Sequence, residues 1–145
     1  MENYNITLSL KATPAQVFNA LTQQIPQWWT KAYQGAAAVP SDQFKIKFGE
    51  NVAKTLEVVT VVEPFKVVWL VKEALIDIPQ LTNKSEWVGT TINWTMDGNG
   101  DRTWLNLEHV GLHNAVECFD ICTAGWLQFT ESLKKFIETG QGNPY

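Results

Sequence analysis

The sequence predicts an α+β fold in which a strongly curved antiparallel sheet wraps a long C-terminal helix, with two short helices after the first strand. Period-two alternation of apolar and polar residues recurs in several separate segments, as half-buried strands require. One long stretch near the C-terminus carries a helical stripe instead, with Cys122, Trp126, Phe129, Leu133 and Phe136 on one face. The element order is strand, helix, helix, five or six strands, long helix, which lacks the repeating strand-helix units of a doubly wound parallel sheet. Where such a sheet curves away from the helix it grips, a cavity opens between them.

Taken in order, Tyr4, Ile6, Leu8 and Leu10 alternate with Asn5, Thr7, Ser9 and Lys11 as the first strand. Thr13-Pro14-Ala15-Gln16 supplies a capping hydroxyl, a proline at the first helical position and a glutamine at the third, a capping box. The apolar face of that helix is Val17, Phe18, Leu21 and Ile25, and Pro26 stops it because proline lacks the N–H of the next backbone bond. Proline also suits a helix start, so Gln27 to Tyr33 reads as a second short helix. Phe44, Ile46 and Phe48 alternate with Lys45 and Lys47 in a strand with one wet face. Val52 to Glu63 and Phe65 to Lys72 are two more strands, separated by Pro64. Glu73 to Glu86 reads as a long loop over the sheet. Trp87 to Met96 and Arg102 to Val110 pair through the turn signal Asp97-Gly98-Asn99-Gly100-Asp101. In the second of these, Leu105, Leu107 and His109 share one face, while Trp104 falls on the other with Asn106 and Glu108. The last helix should span about Asp120 to Thr139, with Gly140 as its stop.

The 145 residues, 45% hydrophobic and 18% charged, suit one domain with a single core. The net charge of −4 comes with no long basic cluster, which argues against nucleic-acid binding. No apolar run is long enough to span a bilayer, and MENYNITLSLK lacks the features of a signal peptide, so a cytoplasmic location is expected. Cys118 and Cys122, at i and i+4, share a helix face that would suit a metal or a redox pair if other ligands converged; only His109 and His113 are at hand. They read as small packing thiols in a reducing compartment, and no metal or cofactor is expected.

These residues, in order along the chain, carry a resemblance: Pro14, Val17-Phe18 and Ala20-Leu21, then Trp28-Trp29, Glu63-Pro64 and Trp69. It continues through Trp87, Gly89-Thr90, His109, Gly111-Leu112, Gly125-Trp126 and Leu133. The sequence resembles the START-like (SRPBCC) superfamily, with the helix-grip fold of the major birch pollen allergen, and within it the activator of heat-shock protein 90 ATPase homologue-like group. Glu117 to Cys122 and Thr139 to Pro144 are similar to a bacterial subgroup of stand-alone domains. The resemblance covers essentially the whole chain and implies a single START-like domain over residues 1–145 with a hydrophobic cavity. Members bind lipids, sterols or metabolites, and some catalyse cyclisation or hydroxylation. The eukaryotic namesake stimulates a chaperone ATPase through two domains, of which this chain has room for only the later one.

Three functions are compatible with these residues. The first is a domain that binds a small hydrophobic ligand, lipid or metabolite, between sheet and C-terminal helix. Its candidate lining is Trp28, Trp29, Trp69, Trp94, Met96, Leu107, His109, Trp126 and Phe129, an apolar set with one polar group. The paired Trp28 and Trp29, about 100° apart if helical, place one ring in the sheet mouth and the other towards cavity, solvent or partner. The second is a chaperone-cofactor-like or stress-related interaction module, as a monomer or homodimer. The third is an enzyme with His109 as acid or base, since an inward histidine could exchange a proton near neutral pH. Glu117 and Asp120 are its possible companions, and equally good first-turn carboxylates of the helix.

Overall fold

In a computed structural model that describes residues 2–145, seven antiparallel strands form one sheet, gripped around a C-terminal helix of 21 residues. The strands are β1 (Tyr4–Leu10), β2 (Tyr33–Gly35), β3 (Gln43–Lys47), β4 (Val52–Val62), β5 (Lys66–Ile76), β6 (Thr91–Asn99) and β7 (Arg102–Val110). The helices are α1 (Pro14–Thr22) and α2 (Phe119–Thr139). The spatial order is β1-β7-β6-β5-β4-β3-β2, so the first strand closes onto the last. This is the helix-grip fold. The β4–β5 pair shifts register twice, between Thr55 and Leu56 and between Val58 and Thr60. Each such irregularity bends the strand and increases local twist.

The local chemistry explains most boundaries. Thr13 accepts from the Gln16 backbone N–H while the Gln16 side chain accepts from the Thr13 backbone, the expected capping box. Gly140, at φ 84°, takes the left-handed conformation that ends α2. The β6–β7 hairpin turns at Gly100, φ 67°, where a Cβ would be strained. Trp104 is half exposed on the outer face, as its parity indicates, with the Arg102 guanidinium 6.0 Å from its ring centroid.

Several boundaries differ from the sequence reading. Only a single 3-10 turn, Ile25–Gln27, stands where the second helix was expected over Gln27 to Tyr33. The backbone there finds other partners: Lys31 N–H donates to Tyr145 O, Tyr145 N–H to Trp29 O, and Tyr33 pairs with Ile46 of β3. α1 likewise ends at Thr22, leaving Ile25 to that turn. β5 runs on to Ile76 because β4 is long enough to pair with it, Val52 opposite Ile76. β6 starts at Thr91 rather than Trp87, since Gly89 at φ 84° turns the chain and swings Trp87 inward.

Candidate functional site

The inward positions of β4 are Lys54, Leu56 and Val58, all buried. Alternation alone therefore drives a lysine into the space beneath α2. That space is a cavity of about 280 Å³ between the inner face of the sheet and the helix. Phe48, Val52, Lys54 and Ile76 form its floor, and Trp29 and Trp87 its sides. Cys122, Trp126 and Phe129 project into it from α2, with Ile121, Gln128 and Tyr145 at the rim. Gly125 lies on the same helix face, and a Cβ built there meets nothing within 4 Å.

The loop between β5 and β6 holds the helix start in place. The Glu86 carboxylate accepts from the backbone N–H groups of Glu117 (3.0 Å) and Cys118 (3.1 Å), and so caps a helix whose own N-cap residue makes no side-chain bond. In return, the Glu117 carboxylate accepts from the Thr82 N–H and hydroxyl and from the Asn83 N–H. Those bonds hold it below the usual carboxylate range.

Lys54 is 8% exposed, and its ammonium sits 3.8 Å from the Trp87 ring centroid and 5.1 Å from that of Phe48. Among the described residues no carboxylate pairs with it and no oxygen accepts its N–H groups. Glu57 pairs with Lys72 and Asp77 with Lys84, and Glu86 is committed to the helix start. Burial lowers its pKa from 10.5 to about 8, against the opposing pull of Cys122 and Cys118. Contact with aromatic faces returns about 1–2 kcal/mol to a desolvated cation, less than the desolvation costs.

The two cysteines are free and buried. The Trp87 indole N–H donates to Cys122 Sγ at 3.2 Å. The Cys118 thiol is pushed up, first by its hydrogen bond with Cys122 and then by burial. The same bond from Cys118 holds Cys122 below the ordinary thiol range, helped by Trp87 and the Lys54 ammonium against burial.

His109 lies behind the cavity, fully buried, with both ring nitrogens engaged. Trp126 Nε1–H donates to its Nδ1 at 3.0 Å, so the proton belongs on Nε2, which donates to Thr90 Oγ1 at 2.9 Å. The Thr90 hydroxyl in turn donates to Trp87 O at 2.6 Å. Protonating Nδ1 would set two N–H groups against each other in a dry site, and burial with the nearby Lys54 charge lowers the pKa from 6.5 to about 3. The ring is a neutral connector between Trp126 and the Trp87 turn. This geometry leaves it no free nitrogen with which to act on a bound molecule.

Of the residues singled out in the sequence, Trp29, Trp126 and Phe129 meet at the cavity wall. Trp28, Trp69, Trp94, Met96, Leu107 and His109 are buried but do not line it. Trp28 and Trp29 are not splayed by 100°. With no helix beneath them their rings stack, 5.4 Å apart and within 3° of parallel. Trp28 is fully buried and donates to Ala20 O, and Trp29 stacks on it and also against Trp69 and Trp126. Both are core residues, and Trp29 is also wall. Lys54, Trp87 and Phe48 were not among the ligand-site candidates of the sequence, and Cys122 entered there only as a metal or redox candidate read as a packing thiol. A lysine in inward register with Leu56 and Val58 was the legible sign.

The same fold recurs in known proteins. A family model described as "Activator of Hsp90 ATPase homolog 1-like protein" matches residues 11–138. The solution structure of the Aha1 dimer from Colwellia psychrerythraea is 26% identical, covers 98% of this chain and 100% of its own, and superposes with a TM-score of 0.80. Protein MLL2253 from Mesorhizobium loti is 18% identical, with 92% and 96% of the two chains covered and a TM-score of 0.70. CalU16 from Micromonospora echinospora is 16% identical, with 94% and 76% covered and a TM-score of 0.64. The latter two likenesses speak for the fold. None of the curated proteins matches the sequence. No helix among the described residues is long and apolar enough to cross a membrane.

Proposed function

We propose that this chain, which belongs to the activator of Hsp90 ATPase homologue 1-like family, binds a small, largely apolar ligand in the cavity between the sheet and α2. The observation that carries the reading is the cavity itself: about 280 Å³ walled by aromatic and aliphatic side chains and reached along a helix face left open by Gly125. A pocket of this size and character matches small-molecule sites, which are concave and mostly apolar with few polar groups. A helix-interior glycine costs about 1 kcal/mol relative to alanine. Retaining one where a larger side chain would fill the mouth is consistent with a space kept for a ligand.

Intrinsic fluorescence and native mass spectrometry with a panel of apolar compounds test this. Trp29, Trp87 and Trp126 all line the cavity, so occupancy should change their emission. The variant Gly125→Leu should remove the response while the protein stays folded. An unchanged response in that variant, or no bound compound in the wild type, contradicts the reading.

The family match favours a second reading, an interaction module that acts on a chaperone. A chaperone ATPase assay with the purified chain tests it, with stimulation as the supporting outcome. Self-association belongs with this reading, since the Colwellia psychrerythraea relative is described as a dimer.

A further inference from the structure

The cavity wall carries one charge, and it has no partner among the described residues. Lys54 is more than nine-tenths buried and lines the cavity, with its ammonium lying on the Trp87 ring. A long amine of this kind ordinarily reaches water or a carboxylate, because an isolated buried ammonium is costly. Here the rest of the lining is mostly apolar, its other polar groups being the Cys122 thiol and, at the rim, Gln128 and Tyr145, and the neighbouring carboxylates are bonded elsewhere. Cys122 on α2 lines the same cavity, and among the described residues neither it nor Cys118 is hydrogen-bonded to the amine.

We propose that the cavity selects a small apolar carboxylate, and that Lys54 is the counter-ion that receives its carboxylate group beneath α2. The inference rests on the cavity being a ligand site and names the class of ligand. One ammonium, with no arginine on the cavity wall, matches a single negative charge rather than the several oxygens of a phosphate, which planar or multiple donors recognise better. The aromatic floor around the amine suits the chain or ring that carries the acid. The volume limits that ligand to about a dozen heavy atoms, at the small end of ligand pockets. Binding would bring the carboxylate to a positive charge whose desolvation the fold has already met, so the site is preorganised for it. Lys54 also sits opposite Ile46 and Ala74 in the sheet, so the strand pairing fixes its backbone.

Calorimetric titration with octanoate, octan-1-ol and octylammonium at pH 7, on the wild type and on Lys54→Met, decides the matter. In the wild type octanoate should bind at least about tenfold tighter than octan-1-ol, with octylammonium weakest, as a charge pair in mostly apolar surroundings requires. In Lys54→Met the preference for octanoate should vanish or reverse while octan-1-ol still binds. Equal binding of acid and alcohol to the wild type, with the alcohol bound, overturns the role of Lys54 and leaves the cavity reading standing. An acid preference that survives in Lys54→Met overturns it as well. If none of the three binds the wild type, the cavity reading falls and this inference falls with it. Should Lys54→Met fail to fold, the ranking of the three compounds on the wild type decides alone.

Discussion

Replacing Lys54 by methionine should stabilise the ligand-free protein. The two side chains are similar in length and methionine adapts to irregular apolar space, so the cavity floor keeps its shape. What changes is the charge. Holding the ammonium at a pKa of about 8 instead of 10.5 corresponds to about 3 kcal/mol, at about 1.4 kcal/mol per pH decade. The variant also forfeits the contact of the ammonium with Trp87 and Phe48, worth about 1–2 kcal/mol when desolvated. The net gain at pH 7 is therefore about 1–2 kcal/mol, or roughly 3–8 °C in Tm for a chain of this size. The pH dependence has a definite sign. A folded-state pKa below the unfolded one means the unfolded chain binds more protons between pH 8 and 10.5, so wild-type stability attributable to Lys54 rises across that window. The advantage of the variant should be full below pH 8 and shrink as pH climbs towards 10.5. Of the groups facing the amine, His109 stays neutral throughout and Cys118 is pushed up. Repeating both curves in a Cys122→Ser background isolates the lysine. Urea denaturation of the two proteins from pH 7 to 10 is the assay. A variant less stable than wild type at pH 7, or a difference that does not change with pH, would mean that Lys54 is not held against a desolvation cost.

Other consequences can be checked in the same material. His109, held at about 3 against 6.5 unfolded, should cost the wild type about 2–3 kcal/mol between pH 7 and pH 4.5 by linkage. His109→Gln, though weaker at pH 7, should lack that part of the acid slope in urea denaturation. Gly125→Ala should raise stability by about 0.5–1 kcal/mol, because the site is helical and a Cβ there meets nothing. A thermal melt reads this directly, and a loss would show that the backbone needs glycine. Glu86→Gln keeps a carbonyl at the start of α2 but removes its charge, and should cost about 0.5–1 kcal/mol, less at high salt. Cys122 should react with iodoacetamide faster than Cys118 because it lines the cavity, and octanoate should slow that reaction. Peptide mapping after timed alkylation distinguishes the two thiols.

The fold was legible where the sequence carries strong local chemistry. The capping box at Thr13, the glycines at 100 and 140, and the stripe from Cys122 to Leu133 each place an element. The errors fall where tertiary partners compete with local signals. Nothing near Pro26 reveals that Tyr145 will return to bond Trp29 and Lys31, so the segment that reads as a helix is a turn and a tail contact. The same cause undid the 100° offset of the tryptophan pair, which holds only on a helix. The β5 extension to Ile76 depends on the length of β4 across the ladder, which a strand's own composition does not state. For the site, counting aromatics found Trp29, Trp126 and Phe129 but could not separate wall from core. Of the seven tryptophans all but Trp104 are buried, and the three that border the cavity, Trp29, Trp87 and Trp126, come from a turn, a loop and α2, whose docking against the sheet a local pattern does not state. The polar member of the site went to His109 because histidine titrates near neutral pH. Strand parity gave an equal claim to Lys54, which sits inward with Leu56 and Val58.

The ligand-binding reading and the role of Lys54 both depend on a small apolar molecule occupying the space between the sheet and α2. Isotope-filtered nuclear Overhauser spectroscopy on the labelled protein with unlabelled octanoate observes that occupancy atom by atom. A ligand in the cavity should give contacts from the octanoate methyl and methylene protons to the indole protons of Trp29 and Trp126 and the ring of Phe129, all lost in Gly125→Leu. Contacts confined to exposed residues such as Phe65 or Trp104, or contacts that persist when the mouth is blocked, would place the ligand elsewhere and rule the cavity out as its site.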